Sequence, residues 1–369
     1  MYGEPCRTWS HGDVASSPLV AFFQARRIWC LLVAFLCILF LCIFTNHMFG
    51  LSPDALIPAR AVAVIGAGAV GSSLARRLAL RNLPVAAVLS SRDAPARRLA
   101  DAVDAPTAST RLDDLPEAVR AVFLCVPDDE IAAVAAELAS VVHAWPRTIV
   151  AHTSGALPAD VLLPIAKKGA AVLSFHPMQT FPDPDHPDGF RGIHIGVEGH
   201  EDAVAYGEAV AERIGASPIR LTPTEKTRVH CAASLASNGL TALVAVVQEI
   251  LADAGLDAEM AMSVVRPLMN QTWHNLQSSD PEVALTGPIV RGDAGTIRDH
   301  VDVLAASLPH LIPLYGALAT EQIRVAVRSG RLAPDAAGKV LDVVQEAIDG
   351  EESLSSISDV PVRDASSHR

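Results

Sequence analysis

Ala61–Ile65, AVAVI, is a short apolar run that passes at once into Gly66-Ala67-Gly68-Ala69-Val70-Gly71 and then into SSLARRLAL over 72–80. A strand followed by GxGxxG and a helix is the context that gives three glycines a job. Gly66 permits the tight turn, Gly68 lets another molecule approach the backbone, and Gly71 lets the helix pack close to the strand. The head of that helix presents unbonded N–H groups and a partial positive charge, which suits phosphate. This unit constrains the chain to a parallel, doubly wound α/β sheet, a Rossmann domain, with a dinucleotide over Gly66, Ala67, Gly68, Ala69, Val70 and Gly71.

The second strand, Val85–Leu89, ends in Ser90-Ser91-Arg92. A site for NAD wants a carboxylate there for the ribose 2′-hydroxyl, whereas hydroxyls beside a guanidinium suit a 2′-phosphate. Ser91 and Arg92 therefore favour NADP(H) over NAD(H), with Arg97 and Arg98 as further charge. Asp93 keeps the NAD reading open. More strands end in polar turns: 121–126 before Pro127, 148–151 before His152-Thr153-Ser154-Gly155, and 171–175 before His176-Pro177-Met178-Gln179. Ligands of open parallel sheets lie at such carboxyl ends. Val126, Pro127 and Ser154 are expected beside the cofactor, and His176 and Gln179 beside the substrate. No G-x-S-x-G elbow accompanies Ser154, so it is not read with His176 as a hydrolase pair.

Beyond about Pro223 the strand signals stop, and the second domain is expected to be all-helical. Residues 225–254 read as one long helix closed by Gly255. Its second half is apolar on nearly every face, which predicts a buried central helix. Its first half carries Lys226, His230, Ser234 and Asn238 at four-residue spacing, a polar stripe on an Ala/Leu helix. We expect Lys226, His230 and Asn238 to be catalytic and Ser234 to meet substrate. A turn rich in glycine, 285–296, follows a helix holding Pro267; its Arg291 is a candidate for a substrate carboxylate, and its Asp293 for a helix cap.

The segments partition into an extension over 1–58, a Rossmann domain over 59–198, a helical substrate and dimerisation domain over 199–349, and a polar tail over 350–369. The extension holds an unbroken apolar run, 28–44, preceded by Arg26 and Arg27. It is at the short end of a bilayer span. Either it anchors the protein by a single N-terminal helix, or translation starts at Met48 and the protein is cytoplasmic. The net charge of -12 opposes nucleic-acid binding. Cys6, Cys30, Cys37 and Cys42 crowd the extension, and Cys125 and Cys231 stand apart, so neither disulfides nor a metal site are expected.

These motifs resemble, from about Ala61 to about Ser329, Rossmann-like oxidoreductases that carry the domain of unknown function 2520. The carriers are GAGAVGSSLARRL (66–78), VFLCVPDDEI (122–131), HTSGAL (152–157), SFHPMQTF (174–181), HCAASLASN (230–238) and LTGPIVRGDAGTI (285–297). The resemblance implies kinship with ketopantoate reductases, pyrroline-5-carboxylate reductases and β-hydroxyacid dehydrogenases, a 6-phosphogluconate dehydrogenase-like C-terminal domain and a homodimer. In the first and last of those relatives a Lys and an Asn on the helix entering the second domain serve catalysis. Lys226 and Asn238 hold a similar place at a longer spacing, and His230 is an equal alternative as the proton partner. The implied reaction is hydride transfer to or from a small carbonyl, such as a 2-oxo acid, or an imine. A catalytically silent cofactor-binding sensor or scaffold would share the Rossmann half but would not need the polar stripe.

Overall fold

The computed structural model describes residues 60–182 and 187–350, which fall into two compact units, one ending at Ala233 and one beginning at Ser234. The apolar segment 28–44 and the choice between Met1 and Met48 lie outside the described residues.

In the first unit, strands β1 (Ala61–Ile65), β2 (Val85–Leu89), β3 (Thr107–Ser109), β4 (Val119–Leu124), β5 (Ile149–His152) and β6 (Ala171–Pro177) are all parallel. β7 (His194–Gly199) pairs antiparallel with β6, and β8 (Ser217–Arg220) runs parallel to β7. The strand order is β3-β2-β1-β4-β5-β6-β7-β8. Its first six positions are the doubly wound dinucleotide-binding order. The sheet runs on past residue 198 to Arg220, because α5 (Glu201–Arg213) folds back and delivers β8 to the edge.

Parallel strands buried on both faces need apolar residues at successive positions, and helices cover the two faces. On one face α1 (Ala69–Leu80), α2 (Asp93–Ala102) and α5 pack Leu74, Leu78, Leu99 and Val210 against Val62, Phe123, Leu173 and Phe175. On the other, α3 (Asp128–Leu138) and α4 (Leu163–Ala166) pack Ile131, Leu138 and Ile165 against Ile65, Leu124, Val150 and Val172. Alternation along β6 thus sends Leu173 and Phe175 to one side, and Val172, Ser174 and His176 to the other. Arg77, on α1, is buried. Its Nε donates to the Ile214 carbonyl at 2.6 Å, and its Nη1 lies 3.1 Å from Asp188. That ties the helix after the glycine turn to the β7–β8 edge.

α6 (Pro223–Ser234) closes the first unit. The helical run continues through a π-turn, Leu235–Gly239, into α7 (Leu240–Asp253). Gly255, at φ +87°, stops it: its N–H reaches the Ala252 carbonyl, and the Leu256 N–H reaches that of Leu251. The second unit then holds α8 (Ala258–Ser278), α9 (Pro281–Ala284), α10 (Ala294–Ser307), α11 (Ile312–Arg328) and α12 (Pro334–Asp349). Its main core joins α10, α11 and α12 through Ile297, Ile323, Val340 and Val344. The expectation of a buried α7 is corrected: none of its residues is buried. Val246 and Ile250 rest on Leu304, Leu311 and Ile312, and Leu240 is exposed. The run Pro223–Asp253 is the one described helix long and apolar enough to cross a bilayer, judged by length and composition alone.

Candidate active site

The glycine turn is built as its spacing demands. Gly66 has φ +105°, and a β-carbon there would lie 2.3 Å from the Cys125 carbonyl oxygen. At Gly71 it would lie 1.9 Å from the Gly66 oxygen. At Gly68 it would meet nothing within 4 Å. Two glycines are needed by the fold itself, and the third faces open space. That space is a cavity of about 360 Å³ bordered by Gly66, Gly68, Ser91, Arg92, Val126 and Pro127. Ala69, Val70 and Gly71 head α1 ahead of its first helical bond, from the Ser72 N–H to the Gly68 oxygen, so their amides are available to an anion. These residues fit a dinucleotide.

Ser91 and Arg92 are exposed at the end of β2, where Arg92 is the N-cap residue of α2. Asp93, the residue that kept NAD open, accepts from Arg97 Nε at 2.7 Å. Arg97 is thereby committed as well. Cys125 is an inert neighbour, its thiol pushed up to about 12 by burial.

A second set of groups gathers past the ends of β5 and β6. Lys226, one turn into α6, is 2% exposed, and its Nζ donates to the carbonyls of Ser154 (2.7 Å) and Gly155 (2.9 Å). His230, four residues on, stacks edge-on against His176 with ring centroids 5.5 Å apart. A β-carbon on Gly155 would collide with both rings, so the glycine of HTSGAL is what lets them close over the loop. Nδ1 of His176 and Nδ1 of His230 are buried and have no hydrogen-bond partner. Burial, then the charge of Lys226, then His230, lowers the His176 pKa to about 4. His152 is lowered to about 4 by burial and Lys226; its Nε2 lies 3.2 Å from the Pro158 oxygen, and its Nδ1 accepts the Ser154 N–H. Lys226 itself falls to about 8, because burial outweighs the attraction of Glu198 and Asp128. The cluster thus sets one cation poised near neutrality beside His152 and His176, whose burial favours the uncharged ring.

Other expected residues fare differently. Ser154, expected at the cofactor, is 5% exposed, and its hydroxyl is spent inside the fold. It donates to Asp128 at 2.8 Å and accepts the N–H groups of Ala156 and Leu157. Gln179, expected at the substrate, turns its side-chain oxygen back to the Thr180 N–H at 2.9 Å. Ser234, Asn238 and Arg291 belong to the second unit. There Asn238 sits in the π-turn, and Arg291 in the turn before α10. Asp293 caps α10, accepting the Thr296 N–H at 3.1 Å. The sequence reading missed Glu198 and Asp128, which flank the lysine. Asp128 stands among acidic residues that head a helix, and Glu198 stands just past the apolar run of its strand, so neither is set apart by sequence.

Residues 193–322 match the Domain of unknown function (DUF2520), and residues 51–177 match the Rossmann-like domain. The DUF2520 match follows the Rossmann-like match along the chain. Among solved structures, a provisionally assigned NADP oxidoreductase from Bacteroides fragilis is 24% identical, with a TM-score of 0.59 over 71% of this chain and 97% of its own. A protein from Thermotoga maritima is 25% identical, with a TM-score of 0.60 over 74% of this chain and all of its own length. The likeness to the Bacteroides protein is one of fold. No curated protein matches the chain.

Proposed function

We propose that this chain is a nicotinamide-dependent oxidoreductase that prefers NADP(H) and acts on a small carbonyl, such as a 2-oxo acid, or on an imine. The observation that carries the proposal is Lys226: a buried ammonium held between two backbone carbonyls of the loop after β5, beside two imidazoles, in the unit whose sheet carries a glycine turn open at Gly68. A chain that only sensed a dinucleotide would gain nothing from burying that amine, which costs it much of its ordinary basicity. Lysines with lowered pKa values are common where protons are moved.

The glycine turn, Ser91 and Arg92 would hold the cofactor, which supplies the hydride chemistry when bound. Lys226 holds a proton that it can deliver near neutral pH, and as a cation it favours negative charge building on a nearby oxygen. His176 and His230 offer ring nitrogens without hydrogen-bond partners for orienting substrate or passing the proton on. Titration of the protein with NADPH and NADH, read by nicotinamide fluorescence, is the first test. A screen of 2-oxo acids and cyclic imines follows, with Lys226→Ala as control. Turnover should fall about 10²- to 10⁴-fold in that variant, with NADPH affinity nearly intact. Binding of neither nucleotide by folded protein would overturn the proposal, and so would full activity in the variant.

We further propose a homodimer in the cytoplasm. Leu240 on α7 and Leu268 and Trp273 on α8 are 48%, 69% and 63% exposed, and apolar surface of this extent on a soluble enzyme calls for a partner surface. Light scattering on purified protein at twice the chain mass would support the proposal, and a monomer would refute it.

A further inference from the structure

We infer that Glu198 is a positioning residue for Lys226: its buried carboxylate pins the loop that receives the ammonium and supplies the charge facing it. The inference rests on reading Lys226 as the proton-holding group. Among the described residues Glu198 is the one buried carboxylate, and Lys226 and Arg77 are the buried cations. Arg77 is satisfied elsewhere, by Ile214 and Asp188.

The register explains how a carboxylate comes to be there. His152 on β5 pairs with Ser174 on β6, and Ser174 pairs with Glu198 on β7. Partners in register share a face, so three polar residues form a row across three strands. It lies on the face whose rows below are apolar: Val150 and Val172 are the positions two residues before His152 and Ser174. Each end of the row grips the loop 153–159. His152 holds the Ser154 N–H and the Pro158 carbonyl, and Glu198 Oε2 accepts the Ala159 N–H at 2.8 Å. Between those grips lie the two carbonyls that bind Nζ of Lys226. The middle of the row, the Ser174 hydroxyl, is buried and has no hydrogen-bond partner.

The groups facing the ammonium are then Glu198 from β7, Asp128 from the start of α3, His152 from β5, His176 from β6 and His230 from its own helix. Asp128 is already engaged by the Ser154 hydroxyl and is exposed, so water weakens its influence. Glu198 is 8% exposed and acts through a drier path.

The chain has few lysines, Lys167, Lys168, Lys226 and Lys339, so a ¹³Cε-lysine NMR titration of the whole protein resolves them. The signal missing from Lys226→Met belongs to Lys226. In Glu198→Gln, which keeps the shape and an acceptor for Ala159, the Lys226 midpoint should move about one pH unit to the acid side of wild type. In Glu198→Asp it should stay near the wild-type value. An unmoved midpoint in folded Glu198→Gln overturns the inference. If that variant does not fold, the carboxyl ¹³C signal of Glu198 is followed in Lys226→Met instead. There its midpoint should rise, and an unchanged midpoint overturns the inference. None of these readouts needs a substrate. If the midpoint moves while turnover survives loss of Lys226, the functional reading fails and the coupling stands.

Discussion

A β-carbon added to Gly155 would lie 2.4 Å from Nδ1 of His230. No side chain fits between the β5 loop and the helix that carries Lys226. Gly155→Ala must push His230 or His176 off its position. Overpacking of this kind costs about 1–3 kcal/mol, which urea unfolding would measure. NADPH affinity should be unaffected, since the glycine turn is elsewhere on the sheet, while turnover falls.

Gly66 and Gly68 separate fold from ligand. Gly66→Ala meets the Cys125 carbonyl and a positive φ, so the protein should lose stability by roughly 1–3 kcal/mol. Gly68→Ala meets open space. Its melting temperature without nucleotide should match wild type, and nucleotide affinity should drop. Equal stability losses in the two variants would contradict this division of labour.

Arg92→Ala should weaken NADPH by about 10- to 100-fold, the worth of a charge-assisted contact at about 1.5–3 kcal/mol, and leave NADH unchanged. Fluorescence titrations of both nucleotides decide it. Asp93→Ala should leave NADH affinity unchanged too, since that carboxylate is bonded to Arg97.

Stability should depend on pH through the buried imidazoles. His152 and His176 are lowered from 6.5 to about 4 in the folded protein. Between those values the unfolded chain binds more protons, so unfolding gains as pH falls. Their stabilising contribution is complete above about pH 6.5 and is lost as pH drops toward about 4. Urea midpoints across that range should decline, and His152→Gln should flatten part of the decline. Lys226 has the same sign in a higher window: its burial penalises the fold below about pH 8 and is relieved as pH rises toward 10.5.

The first strand, the glycine turn and the strand ends were legible because a parallel sheet writes them locally: apolar runs closed by polar turns. Lys226 and His230 were legible as a stripe on an apolar helix, and they do come together with His176. The rest depended on long-range pairing. β8, SPIR, is an edge strand with Pro218 and largely exposed side chains, so it leaves no apolar alternation. Ser154 had the chemistry of a ligand contact, but Asp128, 26 residues earlier, claims its hydroxyl. The apolar second half of the long helix signalled contact without saying with what. Glu198 ends a strand in GVEG, a pattern that reads as solvent-facing until β7 is laid beside β6.

The reversed direction of β7 bears on how the chain finds its register. A slip of one residue against β6 would carry Glu198 to the other face, among Leu173 and Phe175, where a carboxylate has no cation and no amide to meet. The row His152–Ser174–Glu198 therefore penalises that slip. It makes the misregistered sheet expensive at the one strand pair where the doubly wound pattern no longer dictates the pairing.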